Sequence, residues 1–74
     1  MPQRIHIDPQ IHFGKPCVAG TRIPVASVLE LVEAGHSFEE ILTDYYPDLQ
    51  VEDLQACLRY ARNLVEIEDI QISA

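Results

Sequence analysis

The 74-residue sequence predicts a mainly α domain, three helices behind a short β arm. Three observations carry this. Before Gly14, apolar and polar residues alternate, which is the period of a strand; after Pro24, apolar residues recur every three or four positions, which is the period of a helix. Between the two regimes lies GKPCVAGTRIPV, residues 14–25, which holds two of the three glycines and two of the five prolines. Glycine suits backbone with φ > 0 and proline fixes φ and removes a donor, so this stretch reads as turn, short extended piece, turn and helix entry.

Each element follows in order. In RIHID, residues 4–8, Ile5 and Ile7 alternate with polar neighbours; Pro9 interrupts, Ile11 and Phe13 resume the alternation, and residues 17–19 could pair with one of these pieces. Helix one is predicted over residues 24–34, with Pro24 at the favoured first helical position, Val25, Val28, Leu29 and Val32 as its apolar stripe and Gly35 as its left-handed cap. Helix two starts at the capping box Ser37-Phe38-Glu39-Glu40, buries Phe38, Ile41, Leu42 and Tyr45, and stops near Tyr45 because Pro47 biases Tyr46 away from helical dihedrals. Helix three is predicted over residues 51–66, with Val51, Leu54, Leu58, Ala61 and Val65 as core stripe and Cys57 and Leu64 at its border. The whole reads as one domain: arm and turns over residues 1–22, bundle over 23–66, and an acidic, isoleucine-bearing tail over 67–74.

Charge and cysteine content narrow the function classes. Residues 1–22 carry a net charge of +2 and residues 23–74 a net of −9. Nucleic-acid binding draws most of its affinity from neutralising phosphates, so an acidic helical body with a weakly basic arm is a poor monomeric DNA binder and a plausible partner for a basic protein surface. No apolar run approaches the ~20 residues of a membrane span, and Met1 leads into polar sequence. The expectation is a cytoplasmic protein with Cys17 and Cys57 reduced. A domain of this size buries only about 60% of its unfolded surface, which favours a homodimer or a complex with a partner chain.

Residues 7–61, IDPQIHFGKPCVAGTRIPVASVLELVEAGHSFEEILTDYYPDLQVEDLQACLRYA, contain Gly-Lys-Pro at 14–16, Gly-Thr-Arg-Ile-Pro-Val at 20–25, Gly35 and Tyr46-Pro47. In this order the landmarks resemble the domain-of-unknown-function family numbered 433. The resemblance implies a small prokaryotic helix-turn-helix domain, homeodomain-like, with an N-terminal β arm. It also implies similarity to antitoxins, which often neighbour a PIN-like ribonuclease toxin. The sequence departs from the family pattern at two places. Gln50 stands where a Thr or Ser cap is usual, a loss of perhaps ~1 kcal/mol, and Ala19 stands where a basic residue is frequent, which weakens phosphate binding by that loop.

The candidate site residues follow. Helices two and three have the layout of a helix-turn-helix, whose second helix enters the major groove N-terminus first. That end carries Glu52 and Asp53, which repel phosphate, but Gln55 can address adenine, and Arg59 and Arg62 follow on the same face. With Arg4, Lys15 and Arg22 from the arm, these are the candidate nucleic-acid contacts. The competing reading is a solvated face in which Arg62 pairs with Glu66, and in which Arg22 pins the arm to a helical acid. Leu64, Ile67, Ile70 and Ile72 are the candidate partner contacts. His6, Asp8, His12 and Cys17 match no zinc spacing, and no nucleophile or acid–base pair is evident, so the reading is non-enzymatic, without cofactor or metal. The function expected, its toxin half implied by the family resemblance alone, is an antitoxin-like protein that blocks the acidic metal site of a PIN-like ribonuclease, with promoter DNA as a second target of its helix-turn-helix; the alternative is a stand-alone helix-turn-helix regulator.

Overall fold

The computed structural model describes residues 4–68. The chain opens with strand β1, Ile5–His6, and turns through His12–Gly14 into strand β2, Cys17–Val18. The two strands pair antiparallel, with Ile5 opposite Val18 and His6 opposite Cys17. Cys17 also bridges to Pro24 on its other side. Helix α1, Val25–Glu33, follows; helix α2, Phe38–Glu40, continues as a π-helical segment, Ile41–Tyr45; and helix α3 spans Val51–Glu68. The fold is thus mainly helical with a small N-terminal sheet, as the sequence pattern predicts.

Helix starts and stops obey local chemistry. Ser37 accepts from the Glu40 amide at 3.1 Å while Glu40 accepts from the Ser37 amide at 2.9 Å, the two halves of the capping box. α1 ends in a Schellman motif: the His36 amide reaches the Leu31 carbonyl and the Gly35 amide the Val32 carbonyl, with Gly35 at φ +96°. Pro24 stands just outside the first helical turn, in extended conformation with ψ 144°, rather than at the first helical position. The reason is the arm. The Val25 amide donates to the Pro16 carbonyl, and Cys17 pairs with Pro24, so the residue before the helix is held as a strand.

The second half of the arm is not extended. His12 and Phe13 adopt left-handed φ of 51° and 57°, and Phe13 is 100% exposed. The Gly14 and Lys15 amides donate to the Ile11 and His12 carbonyls, closing a tight turn where alternation suggested a strand. Helix two also departs from expectation at its end. The Tyr46 amide donates to the Ile41 carbonyl, five residues back, at 2.8 Å. This wider turn carries Tyr45 outward, to 45% exposure, and lets Tyr46 take its place against the core.

The core is built from Val18 of the arm, Val25 and Val28 of α1, Ile41, Leu49, and Leu54 and Cys57 of α3. α3 is turned relative to the expected stripe. Leu54, Ala56 and Cys57 are buried, whereas Val51, Leu58 and Val65 are exposed and Leu64 does not reach the core. The buried face lies about 100°, one residue's rotation, from the heptad stripe. The arm causes this turn. Arg4, at the entry to β1, donates to Asp53 at 2.8 Å, and Asp53 also accepts from the Gln50 amide at 2.8 Å. Asp53 therefore caps α3 from its third position, in place of a side chain at Gln50, and ties the helix to the arm.

Two outcomes test this account. Asp53→Ala removes a cap and an ion pair together and is expected to lower unfolding stability by about 1–2 kcal/mol, whereas Arg4→Ala, half-exposed, is expected to cost under about 1 kcal/mol; urea titration separates them. Gly20 has φ +80° and open space around its absent Cβ. Gly20→Val is therefore expected to cost more than about 1 kcal/mol through backbone strain alone, with thermal melting as the measurement.

Candidate functional site

α3 presents two grooves on opposite sides. The first is lined by Phe38, Gln55, Leu58, Arg59 and Arg62 and encloses about 520 Å³. Positions 55, 58, 59 and 62 fall on one face of a helix by their spacing, and Phe38, the first residue of α2, forms the opposing wall. Leu58 is 37% exposed and supplies an apolar floor. Arg59 and Arg62 are exposed and make no ion pair among the described residues; the expected Arg62–Glu66 pair does not form. Three sequence-predicted residues, Gln55, Arg59 and Arg62, are thus brought together. Phe38 and Leu58 join them although the sequence pattern assigns both to the core.

The second groove, of about 340 Å³, is apolar. Tyr60, Ala61 and Leu64 form its α3 wall, Val25, Ala26 and Leu29 its α1 wall, and Lys15, Pro16 and Pro24 its end. It is the continuation of the buried face of α3 past the point where the bundle stops covering it. Leu64 therefore lies in an open apolar trough, with Lys15 at the rim.

The remaining candidates are dispersed. Arg4 spends its charge on Asp53. Arg22 is exposed and has no acid partner among the described residues; its backbone carbonyl accepts from His12 Nε2 at 2.9 Å. The role of pinning the arm to a helical acid thus falls to Arg4. Ile67 falls on the last turn of α3, and Ile70 and Ile72 lie outside the described residues. His6 Nε2 is buried without a hydrogen-bond partner, and His12 points to the Arg22 carbonyl, so the arm's histidines do not converge. Among the described residues no three His, Cys, Asp or Glu side chains are grouped to hold a metal ion.

Both cysteines are free and buried. Cys57, expected at a border, lies fully inside the core. Burial, with a further contribution from the Asp53 carboxylate, pushes its thiol up to about 11. A thiol so held is protonated and unreactive near neutral pH. His36, Glu40 and Tyr45 form a small surface cluster, with Tyr45 Oη 3.3 Å from His36 Nε2 and Glu40 3.6 Å from His36 Nδ1. It braces the π-helical segment against the turn after α1.

Fold and surface together define a small helical domain whose distinguishing features are a clamped β arm and two grooves along its last helix. The chain belongs to the family described as "Protein of unknown function (DUF433)", which it matches over residues 5–61. It is similar to an uncharacterized protein, y4eO, of Sinorhizobium fredii, with 43% identity over 53 residues, 72% of this chain and 24% of that protein. It is also similar to a DUF433 member protein from Anabaena variabilis known from a crystal structure, with a TM-score of 0.77 and 33% identity, covering 90% of this chain and 65% of that one. The chain thus spans about a quarter of the curated relative and just under two thirds of the solved one. Among the described residues no helix is long and apolar enough to cross a membrane.

The state of Cys57 has a measurable consequence. Its folded pKa stands above the ordinary 9.0, so the unfolded chain loses this proton first as pH rises. The stability it contributes is complete below about pH 9 and is lost as pH climbs toward 11, by about 2–3 kcal/mol in all. Urea titrations from pH 8 to 11 are expected to show this slope in the native chain and to lack its Cys57 component in Cys57→Ala.

Proposed function

We propose that this chain is an antitoxin-like module that binds a PIN-like ribonuclease and occupies its acidic metal site with Arg59 and Arg62. The observation that carries the reading is the first groove: two guanidinium groups, free of acid partners among the described residues, beside the exposed Leu58 and the half-buried Phe38. Guanidinium groups match carboxylates bidentately, and an apolar floor supplies the area on which a protein contact is built. The acidic tail beyond Leu64, with Ile67, Ile70 and Ile72, is a second contact in this proposal.

The second reading is a helix-turn-helix regulator of operator DNA. It is favoured by the position of Gln55, Arg59 and Arg62 on the second helix of the motif, which is the one that enters the major groove. Against it stand the net charge of −7 and the acids Glu52 and Asp53 at the end of α3 that would enter first.

Co-purification from the native host followed by mass spectrometry supplies the partner. Under the antitoxin reading, the protein inhibits that ribonuclease, Arg59→Ala with Arg62→Ala abolishes inhibition, and truncation after Leu64 weakens it. Under the regulator reading, the same double variant weakens DNA binding and lowers its salt slope by about two. Full inhibition by the double variant would overturn the assignment of the groove.

A further inference from the structure

Phe13 is the most exposed apolar residue of the described chain, yet it is not loose. The Ile11 amide donates to the Asp8 carbonyl at 2.8 Å, the Gly14 amide to Ile11, and the Lys15 amide to His12. His12 Nε2 adds a bond to the Arg22 carbonyl, which ties the turn to the start of the bundle. His12 and Phe13 both sit at left-handed φ, a region that side chains other than glycine enter rarely. Two such residues in succession, held by this many bonds, present an aromatic ring to solvent. Backbone strain of this kind persists where the surroundings over-determine it, and it is a pointer to function.

The apolar groove lies beside this knob. Lys15 and Pro16, two and three residues after Phe13, line it together with Leu29, Tyr60, Ala61 and Leu64. Its 340 Å³ exceeds the ~150 Å³ that suffices for a benzene ring. Phe13 cannot enter its own groove, because the turn directs it outward to full exposure. A second copy can supply the ring.

Charge is arranged to match. The cations around the knob, Lys15 and Arg22, are exposed and without ion pairs among the described residues. The α1 wall of the groove continues into acids: Glu30 lies four residues after Ala26 and Glu33 four after Leu29, on the same face, and both are exposed and unpaired among the described residues. In a two-fold pairing each protomer supplies both a knob and a groove, and both cations and acids. An interface related by a two-fold must be self-complementary in this way, residue i meeting j and j meeting i.

We infer that a second copy of this chain occupies the apolar groove, in a two-fold dimer in which Phe13 of each protomer inserts between Leu29, Tyr60 and Leu64 of the other and Lys15 and Arg22 face the other's Glu30 and Glu33. This differs from an exchange of extended arms, since Ile5 is committed to its own core. It uses the opposite side of α3 from the arginine groove and does not depend on the function assigned there.

Sedimentation velocity on the full chain, over the micromolar to millimolar range, tests it. The native chain is expected to sediment as a dimer and Phe13→Ala as a monomer, with the helical circular dichroism of Phe13→Ala unchanged because the residue makes no contact within its own fold. Lys15→Glu with Arg22→Glu is expected to dissociate the dimer, as is Glu30→Lys with Glu33→Lys, and the four changes together to re-form it. A native chain that is monomeric throughout, or a dimer untouched by Phe13→Ala, would overturn the inference. A dimer lost in both charge variants and not regained in the fourfold variant would overturn the pairing.

Discussion

The rest of the structure depends on the insertion of a two-residue strand into the end of a small helical bundle. Cys17 and Val18 are the most deeply buried consecutive pair in the arm, with β1 on one side and Pro24 on the other. Val18 joins the same cluster as Val28, Ile41 and Leu54, so the arm is part of the core rather than an appendage. Thr21 secures it: its hydroxyl donates to the Val18 carbonyl at 2.8 Å and accepts from the Ile23 amide at 3.0 Å. A domain this short has little apolar area to spare, and a strand that closes the bundle compensates for helices that could not cover one another alone.

From that insertion the orientation of α3 follows. β1 runs beside the start of the helix, Arg4 meets Asp53, and the face carrying Leu54, Ala56 and Cys57 turns inward. The turn has two consequences at the surface. Leu58 comes out beside Arg59 and Arg62, making a groove that is both apolar and cationic. Tyr60, Ala61 and Leu64 continue the inward face beyond the covered core, leaving a largely apolar trough. One helix thereby offers two chemically distinct surfaces.

The chain is acidic overall, and the exposed cations without ion pairs among the described residues are few: Arg59 and Arg62 in one groove, Lys15 at the rim of the other, and Arg22 beside the His12 turn. Isolated cations on an acidic domain contribute little to long-range attraction of a polyanion. They contribute much more where a partner places a carboxylate against them and excludes water.

The sequence by itself determined what is local. The capping box at Ser37, the Gly35 cap, the left-handed Gly20 turn and the register of apolar positions on α1 each rest on the chemistry of a few neighbouring residues, and each is legible without the rest of the chain. The grouping of Gln55, Arg59 and Arg62 was legible for the same reason, since helical spacing alone puts them on one face. Only the tertiary structure decided which side of α3 is buried. Its apolar residues form two overlapping stripes that share Leu54 and Ala61, and periodicity does not choose between them; packing against Val18 and Ile5 of the arm does. The fate of Phe13 was equally out of reach. Alternation around Ile11 and Phe13 fits a strand, but closure of β2 onto Pro24 requires the chain to reverse before Lys15, and the reversal turns that ring out into solvent.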